Sequence, residues 1–305
     1  MYSLPVGELL SALCALVWAI AVIFFKKTGE FVSPLSLNIY KNIVAIILWI
    51  PTLFIFKTPI LPRVPGWYYL ITCISGFLGI TIADTLFFMC LNRIGANLTA
   101  LVDCLYTPMV LLLLGFVFSE PIGISILISG VLIISGILIG TLKREDFGVS
   151  KKDFFYGLLL GSLSMFFVAV GIVMMKEPLG NYKSAFESVP LLWLTGFRIL
   201  SATIFLVAGA VIHKDRKKHF SCFIPSRAWK TMLPGSILGT YISMVIWLAG
   251  WKYSANPAVA TVLNQLTLIF VMILSAIYLG EKITVRRILA VFLAGAGGVI
   301  AGLYG

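Results

Sequence analysis

The sequence predicts an all-α polytopic membrane protein, with ten transmembrane helices arranged as two inverted five-helix repeats. Three observations carry the prediction. The chain is 60% hydrophobic and only 11% charged, where a soluble domain carries about 25% charged residues. Its apolar residues fall into runs of roughly 20, each long enough to cross a bilayer. The chain also repeats itself. Gly76-Phe77-Leu78-Gly79 opens an apolar pair that closes at Ser119-Glu120-Pro121, and Gly235-Ser236-Ile237-Leu238-Gly239 opens another that closes at Gly280-Glu281-Lys282. Gly7-Glu8-Leu9-Leu10 matches Gly157-Leu158-Leu159-Leu160, and Lys41-Asn42-Ile43 matches Arg198-Ile199-Leu200.

The runs lie at roughly 5–25, 36–56, 67–91, 96–118, 122–142, 154–175, 190–212, 231–251, 255–279 and 284–304. Within the first, Ala19-Ile20-Ala21 resembles a signal cleavage site. No basic stretch precedes it and the run continues to Phe25, so an uncleaved helix is expected. Ser33-Pro34 and Asn256-Pro257 place a capping residue before a proline, as at helix starts. Pro51 and Pro108 are expected to kink the second and fourth spans. Trp67-Tyr68-Tyr69, Trp251 and Tyr253 sit at span ends, where interfacial aromatics belong. Glu120-Pro121 starts the fifth span with a carboxylate at the positive end of the helix dipole.

The fifth span carries Gly136 and Gly140, and the tenth carries Ala290, Ala294, Gly298 and Gly302. Small residues at this spacing let helix backbones approach closely. The seam either packs the two helices within one chain, making a monomer, or joins a homodimer. Lys143–Asp153 is a hydrophilic stretch at the midpoint, which divides the chain into residues 1–142 and 154–305 with a connector at 143–153. Five spans is an odd number. The second half must therefore enter the membrane in the opposite sense, about a pseudo-two-fold axis in the membrane plane.

The formal net charge of +11 does not point to nucleic acid, because the basic residues gather in connections such as Lys214-Asp215-Arg216-Lys217-Lys218. Membrane lipid is the partner such connections meet. Most lysines and arginines follow the odd-numbered spans, which predicts a cytoplasmic His213–Lys230 loop and outside termini. Five cysteines show no ligand spacing, and His213 and His219 flank a basic loop without suggesting a metal site. No cofactor is expected. A membrane enzyme would need a convergent catalytic set near one face, and no histidine lies within a span.

Ionisable groups inside spans are costly and face a cavity or a partner. Lys41, Asp84, Asp103 and Arg198 are such groups. Asp84 and Asp103 flank the turn Asn92-Arg93-Ile94-Gly95 by about nine residues each. Both therefore sit roughly 14 Å deep, near the midplane of the bilayer core. In the second half Ser243 or Met244 corresponds to Asp84, and Asn264-Gln265 to Asp103. Lys41 either faces solute or neutralises one aspartate, and one lysine does not fully compensate two buried carboxylates. The surplus acid is a candidate proton-binding group. One of Asn264 and Gln265 is expected to face the cavity, since neighbours on a helix point apart. Trp18, Tyr40, Tyr106 and Trp247 either line the pathway or pack. A whole-chain repeat with polar groups at midplane is the pattern of a secondary transporter, here for a small polar solute.

Ten spans in two halves, a basic residue in the second helix of each (Lys41, Arg198) and the closures Gly280-Glu281 and Ser119-Glu120 resemble the drug/metabolite transporter superfamily, in its EamA-like branch. Gly-rich last helices, Gly130–Gly140 and Gly295–Gly302, add to the resemblance, which covers the whole chain. It implies a plasma (inner) membrane carrier that moves metabolites by alternating access, often an exporter of amino acids or related solutes. It also implies a cavity among helices 1, 3, 4, 6, 8 and 9, on which Asp84, Asp103, Asn264 and Gln265 lie. Relatives usually keep both termini cytoplasmic, against the charge count here.

Overall fold

The computed structural model describes residues 6–119, 123–141, 150–179, 189–214, 216–254, 260 and 263–304. Every regular element among them is helical, as required where lipid can satisfy no backbone polar group. Among the described residues, six helical stretches are long and apolar enough to cross a bilayer: Val6–Thr28, Pro34–Ile55, Gly66–Asp103, Lys151–Met174, Leu191–Ile212 and Trp229–Tyr253. Their lipid-facing sides carry large exposed apolar residues such as Phe54, Leu70 and Ile212. We name α1 Val6–Thr28, α2 Pro34–Ile55, α3 Gly66–Gly76, α4 Ala83–Asp103, α5 Tyr106–Phe118, α6 Ile124–Thr141, α7 Lys151–Met174 and α8 Leu191–Ile212. Later helices are given by range.

Local signals explain several boundaries. Ser33 caps α2 by accepting the Ser36 N–H at 3.2 Å, with Pro34 at the first helical position. Pro51 lies inside α2, which runs on to Ile55. Glu120-Pro121, Asn256-Pro257, Asp215 and residues 143–149 of the connector lie outside the described residues.

Helices α3 and α4 are joined by a π-helical segment, Phe77–Ile82. The chain then folds back at Gly95, which sits at φ 81 and ψ 173. Cys90 Sγ lies 3.5 Å from Thr99 Oγ1, whereas nine residues of straight helix would separate them by about 13 Å. The expected fourth span is interrupted as well. Ala96–Asp103 is followed by a turn at Cys104–Leu105, and α5 begins at Tyr106. Pro108 supplies the cause, because it has no N–H for the Cys104 carbonyl four residues earlier. The second repeat has its own π segment, Ile237–Ile242, and its own turn, at Asn264–Gln265 before the helix Leu266–Leu279.

Close glycine contacts set how the helices lie. A side chain at Gly7 would meet the Ser254 backbone, and one at Gly29 would meet Asn92. Corresponding turns of the two repeats, near Gly95 and near Ser254, thus lie at opposite ends of α1, about 30 Å apart. At the start of α7, Gly157 packs on Ile94, the counterpart of Gly7 on Ser254. The small-residue seam is filled within the chain. Gly136 of α6 abuts the backbone of Ala290 and Ala294, and both alanines are fully buried. Trp67 and Tyr253 are surface-exposed, as interfacial residues should be. Tyr68 and Trp251 are instead buried in the core, where helix neighbours cover ring faces that lipid headgroups were expected to meet.

Candidate functional site

A cavity of about 150 Å³ lies between the repeats, lined from α1, α4, α5, α7, α8 and the second repeat's helices. Asp84, Asp103, Arg198, Asn264, Gln265, Trp18, Tyr106 and Trp247 all reach it; Lys41 and Tyr40 do not. Tyr40 turns away and packs against Phe223 and Trp229, with ring centroids 5.4 and 5.6 Å apart.

Lys41 stands behind the cavity wall. Its ammonium donates to Asp84 Oδ2 at 2.7 Å and to Asn42 Oδ1 at 3.0 Å, and lies 5.9 Å from the centre of the Phe88 ring. The side chain is buried, so this is a charge-assisted pair shielded from water. Asn38, one turn earlier on α2, serves the π segment. Its amide donates to the Ile80 carbonyl at 2.9 Å and to Thr85 Oγ1 at 2.9 Å. A π turn shifts hydrogen bonds by one residue, and Asn38 occupies a carbonyl of the shifted stretch.

Arg198 is also buried, yet it opens onto the cavity. Its Nε donates to Ser75 Oγ at 2.9 Å, and Ser75 donates onward to the Gly171 carbonyl at 2.6 Å. Among the described residues no carboxylate lies within 4.0 Å of the guanidinium. The group instead lies 5.3 Å over the Trp247 ring, a cation–π contact. Gly79, on the π segment, makes room for it: a Cβ there would sit 2.5 Å from a guanidinium nitrogen.

The remaining polar lining is incompletely matched. Among the described residues, Asp103 Oδ1 and Asn264 Nδ2 are buried without a hydrogen-bond partner. Gln265 donates its amide to Thr107 Oγ1. Of the two adjacent amides, Gln265 is therefore tied to a neighbouring helix, while Asn264 keeps a donor unused. Trp18, 5.6 Å from Phe87, and Tyr106, 6.4 Å from Trp247, supply apolar wall. Open donors on Arg198 and Asn264, an open acceptor on Asp103 and flanking aromatics could hold a small molecule bearing both acidic and basic or hydroxyl groups.

Sequence reasoning missed the supports of this site. Ser75 and Thr107 are uncharged hydroxyl residues of a kind common inside apolar spans, and the two π segments leave the apolar runs unbroken. The repeated glycine motifs were the available clue, since Gly79 and Gly239 lie on those segments and line the cavity.

The fold and the cavity define a multi-pass helical membrane protein built from two repeats. The profile of the EamA-like transporter family matches residues 5–142 and again 155–303. The chain belongs to that family, within the drug/metabolite transporter superfamily. A crystal structure of another protein, 15% identical, superposes with a TM-score of 0.73 over 97% of this chain and 96% of its own. That likeness establishes a shared fold. A search of curated proteins found no match.

Proposed function

We propose that this protein is a secondary transporter for small polar solutes, amino acids or close relatives among them. It works by alternating access through ten helices in two inverted five-helix halves. The observation that carries the reading is one inter-repeat cavity that holds Asp103 Oδ1 and Asn264 Nδ2, unmatched among the described residues, beside an Arg198 guanidinium with no carboxylate within 4.0 Å among the same residues. An unmatched buried polar atom costs about 1–3 kcal/mol. A solute that completes these bonds recovers that cost only while it is bound. The opposed positions of the Gly95 and Ser254 turns along α1 support the inverted arrangement.

Lys41 holds Asp84, so Asp103 is the carboxyl free to exchange a proton. Asp84 and Arg198 are the other charged groups facing the same space. In this reading solute and proton bind one site, and each changes the affinity for the other. The carrier acts as an exporter in the plasma (inner) membrane, as a monomer.

Flux into proteoliposomes, scanned over a metabolite panel, tests the reading. Asp103→Asn is expected to keep solute exchange and to lose accumulation driven by a pH gradient. Full gradient-driven accumulation by Asp103→Asn would remove Asp103 as the coupling group. A protein that moves no solute of any class would end the transporter reading.

A further inference from the structure

We infer that Glu281 is a clasp that holds one face of the cavity shut and sets the helix bearing Asp103 in place. The inference rests on the alternating-access reading above. It starts from Gly95, where the chain folds back and begins the short stretch Ala96–Asp103, which ends on the cavity. The first N–H groups of such a stretch have no partner within it. Residue 95 normally supplies a side-chain cap, and a glycine has none to offer.

The cap comes from the other repeat. Glu281 Oε1 accepts the Ala96 N–H at 3.2 Å, and Glu281 Oε2 accepts from Asn97 Nδ2 at 2.5 Å. Asn97 Oδ1 in turn accepts from Ser275 Oγ at 2.9 Å, on the helix Leu266–Leu279. Both carboxylate oxygens of a second-repeat residue are thus engaged on a first-repeat helix. Arg287 Nη1 lies 4.0 Å from Oε2 and adds a cation beside the carboxylate.

Two further features belong to this contact. Gly95 and Gly280 are the glycines at positive φ among the described residues, and each flanks the clasp. At Gly280, φ 68 ends the helix Leu266–Leu279 and turns Glu281 across to Ala96. At Gly95, a Cβ would lie 3.3 Å from Glu281 Oε1, so the carboxylate sits where a side chain would otherwise stand. At the other end of α1, Ser254 Oγ donates to Glu8 Oε1 at 3.1 Å. Opening the Gly95–Gly280 face requires Glu281 to leave Ala96 and Asn97. The short helix is then released, and Asp103 moves with it. Glu281 is accordingly a positioning residue: it reaches the site only through that helix.

Sidedness of access distinguishes this role from general support. Cys14 lines the cavity. The full chain would keep it as the sole cysteine, with Cys73, Cys90, Cys104 and Cys222 replaced by alanine. An impermeant maleimide would then be applied to each side of sealed membrane vesicles. Glu281→Gln keeps one acceptor but sets an NH2 group against Asn97. It is expected to raise Cys14 labelling from the Gly95–Gly280 face about tenfold, with slower labelling from the opposite face. Ser275→Ala, which frees Asn97 without touching the carboxylate, should move labelling the same way by a smaller factor. Unchanged labelling, or equal gains from both faces, overturns the clasp. Wild-type solute flux measured in the same vesicles separates the two ideas. Flux without a labelling shift removes the clasp and leaves the transporter, and a shift without flux does the reverse.

Discussion

Lys41 and Arg198 occupy matching places on the second helices of the two repeats, and their surroundings differ. Lys41 is matched by Asp84 at 2.7 Å and stands outside the cavity. Arg198 faces the cavity with no carboxylate within 4.0 Å among the described residues, held by Ser75 and the Trp247 ring. The π segments differ in the same sense. Asn38 serves the Ile80 carbonyl in the first repeat, while Thr240 Oγ1 on the second is buried without a partner among the described residues. At its second helix the first repeat matches its cation with a carboxylate and the second repeat does not, while Asp103 leaves an acceptor open on the first-repeat side of the cavity. Matching positions of duplicated scaffolds can thus take different work, with Lys41 bracing a carboxylate and Arg198 facing the cavity.

The largest expected effect breaks the matched pair. Lys41→Ala strands the partly buried Asp84 carboxylate, which should destabilise the fold by about 3 kcal/mol, the low end for a broken buried pair. Thermal unfolding of the detergent-purified protein reads this. The double variant Lys41→Met with Asp84→Leu should recover most of the loss, because an apolar pair of similar volume has no charge to strand. A double variant no better than the single one would mean that Lys41 acts through something other than Asp84.

Next comes the cation that faces the cavity. Arg198→Lys makes the second repeat like the first and removes the planar fork that both stacks on Trp247 and donates. Flux should fall about tenfold, a change of about 1.4 kcal/mol, while the melting temperature moves little. If stability and flux fall together, Arg198 braces helices as Lys41 does, and the contrast between the repeats disappears.

Gly95→Ala should cost about 1–3 kcal/mol, since φ 81 with ψ 173 is a backbone state that side chains strain. The loss should appear in unfolding of the whole protein. An alanine variant as stable as the parent would show that the turn relaxes without penalty. The smallest effect is expected of Tyr40→Phe, which gives the first repeat the residue found beside Arg198, Phe197. Tyr40 packs on Phe223 and Trp229, away from the cavity. Flux within about twofold of the parent is expected, because only a hydroxyl off the pathway is lost. A large drop would bring Tyr40 back onto the solute route.

That Asp84 and Asp103 reach one cavity was legible in the sequence. Helical rise per residue is fixed, so Asp84 and Asp103, equidistant from one turn, had to reach a similar level, and both line the same cavity. The partner of Lys41 was not legible, because depth says nothing about rotation around the helix axis. Trp251 read as interfacial from its place at a span end, yet it is fully buried. The π segments escaped notice because one shifted hydrogen bond leaves an apolar run apolar. Pro108 announced a kink, and the break came one turn earlier, at the carbonyl it leaves unserved.

Taken alone, the sequence determined the solvent, the helical character and the two-fold repetition of the chain. These are properties of short windows: a run of apolar residues, a capping pair, a recurring glycine. Only the tertiary structure decided which charges are matched and which are open. It also decided that Glu281 crosses to Ala96, 185 residues away. Such choices depend on how helices are turned and how closely they approach. That approach is set by contacts such as Gly7 on Ser254, Gly79 on Arg198 and Gly136 on Ala290, whose partners lie far apart in the chain and leave no mark on local composition.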